Sequence, residues 1–122
     1  MQARLLAKSA PPGSSGLECA GLCRPQRGVG GDFYDFINLG KSLTGIVIGD
    51  VSGKGVPAAL YMAKLGSDMR TLAFTERSPA EALMKLNDLL AERSRRGMFA
   101  TLLYIELDAS TGLLTMSNAG HL

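Results

Sequence analysis

The sequence predicts an α+β fold in which an antiparallel sheet packs against helices. Three observations predict it: two strand-like runs joined by a turn at 32–49, two successive helical patterns at 56–97, and a second pair of strand-like runs at 99–119. Strands, then paired helices, then strands again favour antiparallel pairing over alternating βαβ units, in which one helix would follow each strand.

The composition indicates a globular chain and excludes several function classes. The 122 residues are 46% hydrophobic and 20% charged, which is typical of one domain or part of one. The formal net charge of +2 is too small to indicate a nucleic-acid partner. No apolar run approaches the roughly 18 residues that span a bilayer, and the N-terminal apolar stretch is too short for a secretory signal. The expected location is therefore the cytoplasm, with no membrane segment in this chain.

Residues 1–16 differ in character from the rest. Residues 1–8 are typical of the end of a helix, and Pro-Pro-Gly-Ser-Ser-Gly at 11–16 is typical of a linker. We therefore assign 1–16 to a helix tail and linker and 17–122 to the domain. The break leaves room for a preceding unit, such as an upstream sensor domain.

A short strand that contains both cysteines is predicted at 17–23. At roughly 3.3 Å per residue, the Cα atoms of Cys19 and Cys23 would be about 13 Å apart, beyond the reach of a disulfide. Both are expected to be buried as small hydrophobic residues. Because His121 is the only histidine, soft ligands are too few for a zinc site.

The first predicted hairpin would bring two carboxylates together. The run at 32–37 is aromatic and β-branched, 38–42 has turn chemistry, and 43–49 is a nearly continuous apolar strand. Lys41 lies midway between Asp32 and Asp50, so a hairpin folded about it makes these aspartates cross-strand partners. Directly opposed residues have Cβ atoms roughly 4.5–5.5 Å apart, and like charges there are destabilising. A divalent cation shared by both carboxylates would compensate.

The alternative is that the register differs and that each aspartate only ends a strand beside a turn, as Asp commonly does. The surrounding glycines favour a binding site, because backbone without a Cβ can approach a ligand closely. Three precede Asp32 and three bracket Asp50: Gly28, Gly30, Gly31, Gly49, Gly53 and Gly55.

Two helices are predicted after the hairpin. Apolar residues recur with helical spacing at 56–74, where Pro57 is tolerated in the first turn. The second helix has Ser78 as N-cap, Pro79 at its first position and Glu81 as the partner in a capping box. Its end is marked by three arginines and a glycine: Arg93, Arg95, Arg96 and Gly97.

The last strands are predicted at 99–107 and 113–119, joined by a turn at 108–112. Two glycine-rich stretches fail as nucleotide-binding motifs. Residues 49–55 have three residues between the glycines and lack the Ser or Thr that follows the lysine of a Walker A loop. Residues 28–31 precede an aromatic strand, where a dinucleotide fingerprint would precede a helix.

Four blocks of the sequence carry a resemblance to one known family. They are GVGGDFYDF at 28–36, IGDVSGKGVPAALYMA at 48–63, FATLLYIELDASTG at 99–112 and NAGH at 118–121. In order and spacing they resemble the SpoIIE/RsbU-like bacterial group of metal-dependent Ser/Thr protein phosphatases, in the protein phosphatase 2C superfamily. The resemblance implies an α-β-β-α sandwich of two antiparallel sheets flanked by helices, with 17–122 as the N-terminal portion of such a domain.

The same resemblance implies a metal centre. Asp32 would bind one ion, Asp50 would bridge two, and the backbone carbonyl of Val51 would add an oxygen. The expected cofactor is Mn²⁺ or Mg²⁺, with two ions in the complete domain, and hard oxygen ligands suit both metals. No side chain is expected to be a catalytic nucleophile, because a metal-activated water would attack the phosphoryl group.

The implied function is hydrolysis of phosphoserine or phosphothreonine on a regulatory protein. By resemblance, the expected partner is a phosphorylated STAS-domain anti-sigma factor antagonist. Members of this group continue beyond Asn-Ala-Gly-His with further strands, a Thr-Asp-Gly segment and a late aspartate. The fold is therefore expected to be incomplete at the C-terminus, with weak or no activity in this chain alone. The alternative is a non-catalytic docking or dimerisation module, and uncovered apolar surface makes a homodimer a further expectation.

Four other polar residues have more ordinary interpretations. Lys54 could meet a substrate phosphate, although a solvated loop lysine is the simpler interpretation. Asp35 is expected on the strand face opposite Asp32 and so outside the ligand set. Asn118 and His121 end a strand that could approach the metals, and a structural hydrogen bond is expected for His121.

Overall fold

The computed structural model describes residues 19–23, 31–53, 55–93 and 97–122. Its elements follow the order β1 (Asp32–Gly40), β2 (Leu43–Val51), α1 (Gly55–Thr75), α2 (Pro79–Arg93), β3 (Ala100–Asp108) and β4 (Leu114–Ala119). The strands form a four-stranded sheet in the order β1-β2-β3-β4, and all neighbouring strands are antiparallel. The predicted α+β class with antiparallel pairing is confirmed. In the described ranges it consists of one sheet and one pair of helices, as expected of an incomplete sandwich.

The β1–β2 hairpin turns at Lys41 and Ser42, whose φ angles of 47° and 66° are both positive. Positive φ at both central residues is the requirement of a type I′ hairpin turn, which matches the twist of the flanking strands. The register is constant from Asp32↔Asp50 to Asn38↔Thr44 and shifts by one before Gly40↔Leu43. A bulge near the turn therefore absorbs the irregularity, and the far end of the hairpin keeps a regular ladder.

The two helices connect β2 to β3, and both begin close to the predicted positions. Helix α1 also ends close to its predicted position, whereas the described part of α2 ends at Arg93, before the predicted end at Gly97. At the start of α2, Ser78 Oγ accepts a hydrogen bond from the Glu81 amide at 3.2 Å. Glu81 Oε2 in turn accepts from the Arg77 amide at 3.3 Å, one residue before the N-cap. The predicted capping box is confirmed, with its return arm displaced by one residue. Arg95 and Arg96 lie outside the described residues, and none of the described helices has the length and apolarity to cross a bilayer.

The hydrophobic core lies between one face of the sheet and the two helices. Alternate residues of β1, β2 and β3 point into it, as the period of two in a strand requires. They pack on the apolar faces of α1 and α2, and Leu65, Ile37 and Tyr104 are completely buried. The main core members are Phe33, Ile37, Val47, Val51, Met62, Leu65, Met69, Leu72, Leu83, Leu86, Leu102 and Tyr104. Because side chains alternate along a strand, the residues between these core members face the other side of the sheet.

The face of the sheet opposite the helices, here called the open face, is only partly covered. Its residues alternate with the core residues and include both Asp32 and Asp50. Ile48 is 37% exposed, Leu114 45% and Met116 56%, so apolar side chains on this face contact solvent. The uncovered apolar surface expected from the sequence is therefore present.

The strand predicted at 17–23 is wrong for the part that is described. Within 19–23, Ala20 forms a single β-bridge and the other residues have no regular structure. Gly21 instead packs flat on the ring of Tyr34, and its carbonyl accepts a hydrogen bond from the Tyr34 hydroxyl at 2.6 Å. A tertiary contact thus replaces strand pairing. Cys19 and Cys23 form no disulfide, as predicted, but both are only half-buried, so the expectation that they are buried is wrong. Residues 1–16 lie outside the described residues.

The core predicts a sharp difference between two leucines of α1. Leu65→Ala removes a completely buried side chain, whereas Leu60 is 67% exposed. We expect Leu65→Ala to lower the free energy of unfolding by about 2–5 kcal/mol, and Leu60→Ala to change it by less than about 0.5 kcal/mol. Urea unfolding followed by circular dichroism measures both. Equal midpoints for the two variants would contradict this packing.

Candidate functional site

Asp32 and Asp50 lie directly opposite each other at the open end of the β1–β2 hairpin. Both are exposed and both belong to the open face. The predicted cross-strand pairing is confirmed. A slip of one residue would turn one carboxylate into the helical layer, so the pair depends on the turn and on the buried alternation of β1 and β2.

Asp32 affects the charge of Asp50. Partial desolvation of its carboxylate raises the pKa of Asp50 above its ordinary value, and the negative charge of Asp32 and a hydrogen bond with its side chain raise it further. A positive charge on His121 has the opposite, smaller effect. The site therefore favours a proton, or another cation, between its two carboxylates.

Gly31 gives a third oxygen access to the pair. The Val51 amide donates to the Gly31 carbonyl at 2.9 Å, which holds the two backbones together. A Cβ on Gly31 would collide with the Val51 carbonyl oxygen and would lie 2.8 Å from Asp50 Oδ1. These two oxygens thus converge on the space that a side chain at 31 would fill. Glycine is required here because a larger residue has no room for its Cβ.

The chain after Val51 is fixed to the start of β3. The Ser52 amide donates to the Phe99 carbonyl at 2.8 Å, and the Phe99 amide donates to Ser52 Oγ at 2.9 Å. Gly53 and Gly55 then have φ of 91° and 73°, which glycine adopts without strain, and α1 begins. Sequence analysis missed Ser52, since its partner is 47 residues away.

Strand β3 places Thr101 next to Asp50, on the side away from Asp32. Thr101 is the partner of Asp50 in the β2–β3 register. Beyond β4, Gly120 forms an isolated bridge with Leu102, which brings the following His121 beside Thr101. Thr101 Oγ1 lies 3.0 Å from His121 Nδ1. Sequence analysis missed Thr101, because the β2–β3 register cannot be read across two intervening helices.

Asn118 holds His121 in place. Its Oδ1 accepts from the His121 amide at 2.8 Å, and its Nδ2 donates to the His121 carbonyl at 2.9 Å. The structural hydrogen bond expected for His121 is confirmed. The histidine and both aspartates line one cleft of about 670 Å³ on the open face.

Two other polar groups in the cleft are engaged. The Cys23 thiol lies 3.7 Å from the Asp32 carbonyl as a weak donor. Burial raises the pKa of Cys23, and the negative charge of Asp32 raises it further, so the thiol is the favoured form. The Tyr34 hydroxyl is bound to the Gly21 carbonyl. Neither group is set up as a nucleophile.

Asp35 lies outside the cleft, as predicted. Its two carboxylate oxygens accept hydrogen bonds from Arg70 of α1, at 2.7 Å from Nε and 2.9 Å from Nη2. Arg70 Nη2 also donates to the Phe36 carbonyl at 3.0 Å. This fork joins α1 to β1. Lys54 lies outside the described residues.

The oxygens of the site suit a hard cation but form an incomplete set. Two carboxylates and one carbonyl are ligands that Mg²⁺ and Mn²⁺ accept, together with water. Within 19–23, 31–53, 55–93 and 97–122, no cluster of three or more His, Cys, Asp or Glu side chains could hold a metal ion. Any ion bound here would take further ligands from elsewhere.

Comparison with known proteins identifies relatives over most of the chain. The family profile described as Stage II sporulation protein E (SpoIIE) matches residues 40–122. The chain is 32% identical over 110 residues to the phosphoserine phosphatase RsbU of Bacillus subtilis (strain 168), covering 90% of this chain and 32% of RsbU. It is 34% identical over 125 residues to protein IcfG of Synechocystis sp., covering 80% of this chain and 20% of IcfG.

A solved structure shows the same fold. The crystal structure of the RsbU and RsbW domains of Rv1364c from Mycobacterium tuberculosis superposes with a TM-score of 0.68 at 29% identity. The match covers 82% of this chain and 28% of that one. The chain thus spans a third or less of the length of each of these relatives.

The opposed carboxylates predict an unusual gain in stability on mutation. A raised pKa means that the folded state holds the proton of Asp50 more tightly than the unfolded chain does, so stability falls as pH rises through the folded-state pKa. In metal-free buffer at neutral pH, Asp50→Asn should raise the free energy of unfolding by up to about 1 kcal/mol. At about pH 3, where carboxyl groups are mostly protonated, the gain should disappear.

The matched control is Asp35→Asn, the same change on the same hairpin but at an ion pair. It should lower the free energy of unfolding by about 0.2–1 kcal/mol, because it weakens the bond to Arg70. Thermal unfolding with a chelator present measures both variants. A loss of stability for Asp50→Asn at neutral pH would show that the two carboxylates do not repel.

Proposed function

This chain belongs to the SpoIIE family, whose profile matches residues 40–122, and from that premise we propose that it is part of a metal-dependent protein phosphatase. The proposed reaction is hydrolysis of phosphoserine or phosphothreonine on a regulatory protein. Relatedness to a protein named phosphoserine phosphatase supports the reaction class. The observation that carries the proposal is the opposed pair Asp32 and Asp50 with the Val51 carbonyl oxygen beside it.

In this proposal Asp32 and Asp50 would hold Mn²⁺ or Mg²⁺, and Val51 would add its carbonyl oxygen. When bound, the ions supply Lewis acidity that activates water and neutralises charge on the phosphoryl oxygens. The chain's own residues prepare this site by geometry. The hairpin register sets the carboxylates opposite each other, Gly31 leaves the space, and the Ser52–Phe99 hydrogen bonds fix the backbone after Val51.

Charge gives the site an order of binding. Without a cation, the carboxylates would repel a phosphate monoester, which is itself a dianion near neutral pH. Once their charge is neutralised by a cation, the same carboxylates would no longer repel the phosphate. Among the described side chains that line the cleft, the Cys23 thiol and the Tyr34 hydroxyl are engaged. Water is therefore the proposed nucleophile, and no covalent enzyme intermediate is expected.

The proposed substrate is a phosphorylated STAS-domain anti-sigma factor antagonist, and the proposed location is the cytoplasm. Support comes from relatedness to RsbU and from the structural neighbour that contains RsbU and RsbW domains. We propose low activity for this chain alone, because its described residues include no cluster of three or more His, Cys, Asp or Glu side chains that could hold a metal ion.

A second candidate function is a docking or dimerisation module. The exposed apolar residues Ile48, Leu114 and Met116 on the open face favour it. They lie on the same face as the carboxylates, so a partner seated there would cover the cleft. Metal binding by the isolated chain separates the two functions, since a docking module has no need of it.

The metal site predicts that two aspartates of the hairpin affect Mn²⁺ binding and that a third does not. Asp32→Asn and Asp50→Asn should each weaken Mn²⁺ binding by at least about tenfold, because each removes a charged ligand. Asp35→Asn should bind like the wild type, since that carboxylate faces α1. Isothermal titration calorimetry measures all four proteins. Equal affinity in Asp50→Asn and the wild type would reject the proposed site.

The space at Gly31 predicts a contrast between two glycines. Gly31→Ala would push the new methyl group against the Val51 carbonyl, so Mn²⁺ binding should fall by at least about tenfold. Gly66 has no atom within 4 Å of its Cβ position and lies inside α1. Gly66→Ala should therefore keep Mn²⁺ binding and raise the free energy of unfolding by up to about 1 kcal/mol. Circular dichroism confirms folding before each titration, and unchanged Mn²⁺ affinity in a folded Gly31→Ala would contradict the close approach.

A further inference from the structure

We propose that His121 is a phosphate-contacting residue of this site: held by Thr101 and Asn118 in the cleft that contains Asp50, it donates a hydrogen bond from Nε2 to an oxygen of the bound phosphate monoester. The inference rests on the proposed function, because it requires a phosphate beside the metal-binding aspartates.

The imidazole of His121 is held in a fixed position. Asn118 binds both the amide and the carbonyl of His121, and Gly120 takes a φ of 76° that lets the chain turn back. The ring is then oriented by Thr101 Oγ1, 3.0 Å from Nδ1. Because Nδ1 is engaged, Nε2 is the ring nitrogen that remains for a ligand. It has no partner within the ranges that the structure describes.

The ring also lies beside the carboxylates. Thr101, which orients it, is the cross-strand partner of Asp50. The histidine, the threonine and the two aspartates all line the cleft. A phosphate bound to cations between the carboxylates would therefore lie within the same small volume as the imidazole.

The chemistry of the cleft leaves His121 as its hydrogen-bond donor. Carboxylates accept hydrogen bonds and cannot donate them to a phosphate. The Tyr34 hydroxyl donates to Gly21, and the Cys23 thiol is directed at the Asp32 carbonyl. Thr101 is occupied with the ring itself. Of the described side chains that line the cleft, the imidazole is the one that can offer an unengaged N–H: in the tautomer in which Thr101 Oγ1 donates to Nδ1, the ring proton is on Nε2. Hydrogen bonds to a charged oxygen are among the strong ones.

A direct test exploits the single histidine of the chain. The ¹⁵N-labelled protein is saturated with Mg²⁺, which is diamagnetic, and titrated with inorganic phosphate while the imidazole nitrogens are followed by long-range ¹H–¹⁵N spectra. The expected result is a saturable shift of Nε2, with a smaller shift of Nδ1. A role limited to holding the strand end would move neither nitrogen.

Variants supply the second measurement. His121→Phe should weaken inorganic phosphate binding by about 10–100-fold in the presence of Mg²⁺, the loss expected for one hydrogen bond to a charged group. His121→Gln keeps a donor and should recover part of the affinity. Leu122→Ala changes the exposed neighbour in the same cleft and should bind phosphate like the wild type. Mn²⁺ titration of each variant should give wild-type metal affinity.

The possible failures separate the two proposals. Unmoved Nε2 at saturating phosphate, or wild-type phosphate affinity in His121→Phe, would overturn the histidine contact while leaving the metal site intact. Loss of Mn²⁺ binding in His121→Phe would make the histidine a metal ligand and would also overturn the contact. Absence of Mn²⁺ binding in the wild-type chain would reject the proposed function and the inference that rests on it.

Discussion

The register of the β1–β2 hairpin is the constraint on which the rest of this structure depends. Because side chains alternate along a strand, one register places Phe33 and Val51 in the core and Asp32 and Asp50 on the opposite face. A slip of one residue in either strand would bury a carboxylate among apolar side chains and expose part of the core. Hydrophobic burial therefore enforces a juxtaposition of like charges that the carboxylates themselves oppose. The core supplies the free energy that holds the site together before any cation binds.

The residues that stabilise the fold and the residues of the candidate site lie on opposite faces of the sheet. Substitutions on the helical side act on unfolding, whereas Asp32, Asp50, Thr101 and His121 lie on a face where few contacts would be lost. Desolvation and the opposed charge of Asp32 both raise the pKa of Asp50, so the charged form of this carboxylate is disfavoured in the metal-free site. Groups with perturbed pKa values in a cleft are typical of binding and catalytic sites.

Structure that depends on residues close together in the sequence was predicted well. Contacts between residues far apart in the sequence were not predicted. The equal spacing of Asp32 and Asp50 about Lys41 was enough to predict their pairing, because a hairpin register is set within a few residues. Ser78 and Glu81 predicted the start of α2 for the same reason. Ser52 and Thr101 gave no such signal, since their partners depend on how two helices return the chain to β3. The strand predicted at 17–23 was wrong in its described part because Gly21 packs against the ring of Tyr34 in β1. The alternation of apolar and polar residues along a strand does not predict such a tertiary contact.

Helix α1 is connected to both halves of the site. A short glycine-containing loop joins Val51, at the end of β2, to the first residue of α1. Arg70 of α1 donates hydrogen bonds to the Asp35 carboxylate and the Phe36 carbonyl of β1, the strand that contains Asp32. The two attachments lie near opposite ends of a helix of 21 residues. A rotation or shift of α1 would therefore pull on β1 and on the end of β2 together. The two aspartates are opposed only while both strands keep their register, and α1 is attached to both of those strands. The geometry of the site is in this sense a property of the helical layer as well as of the sheet.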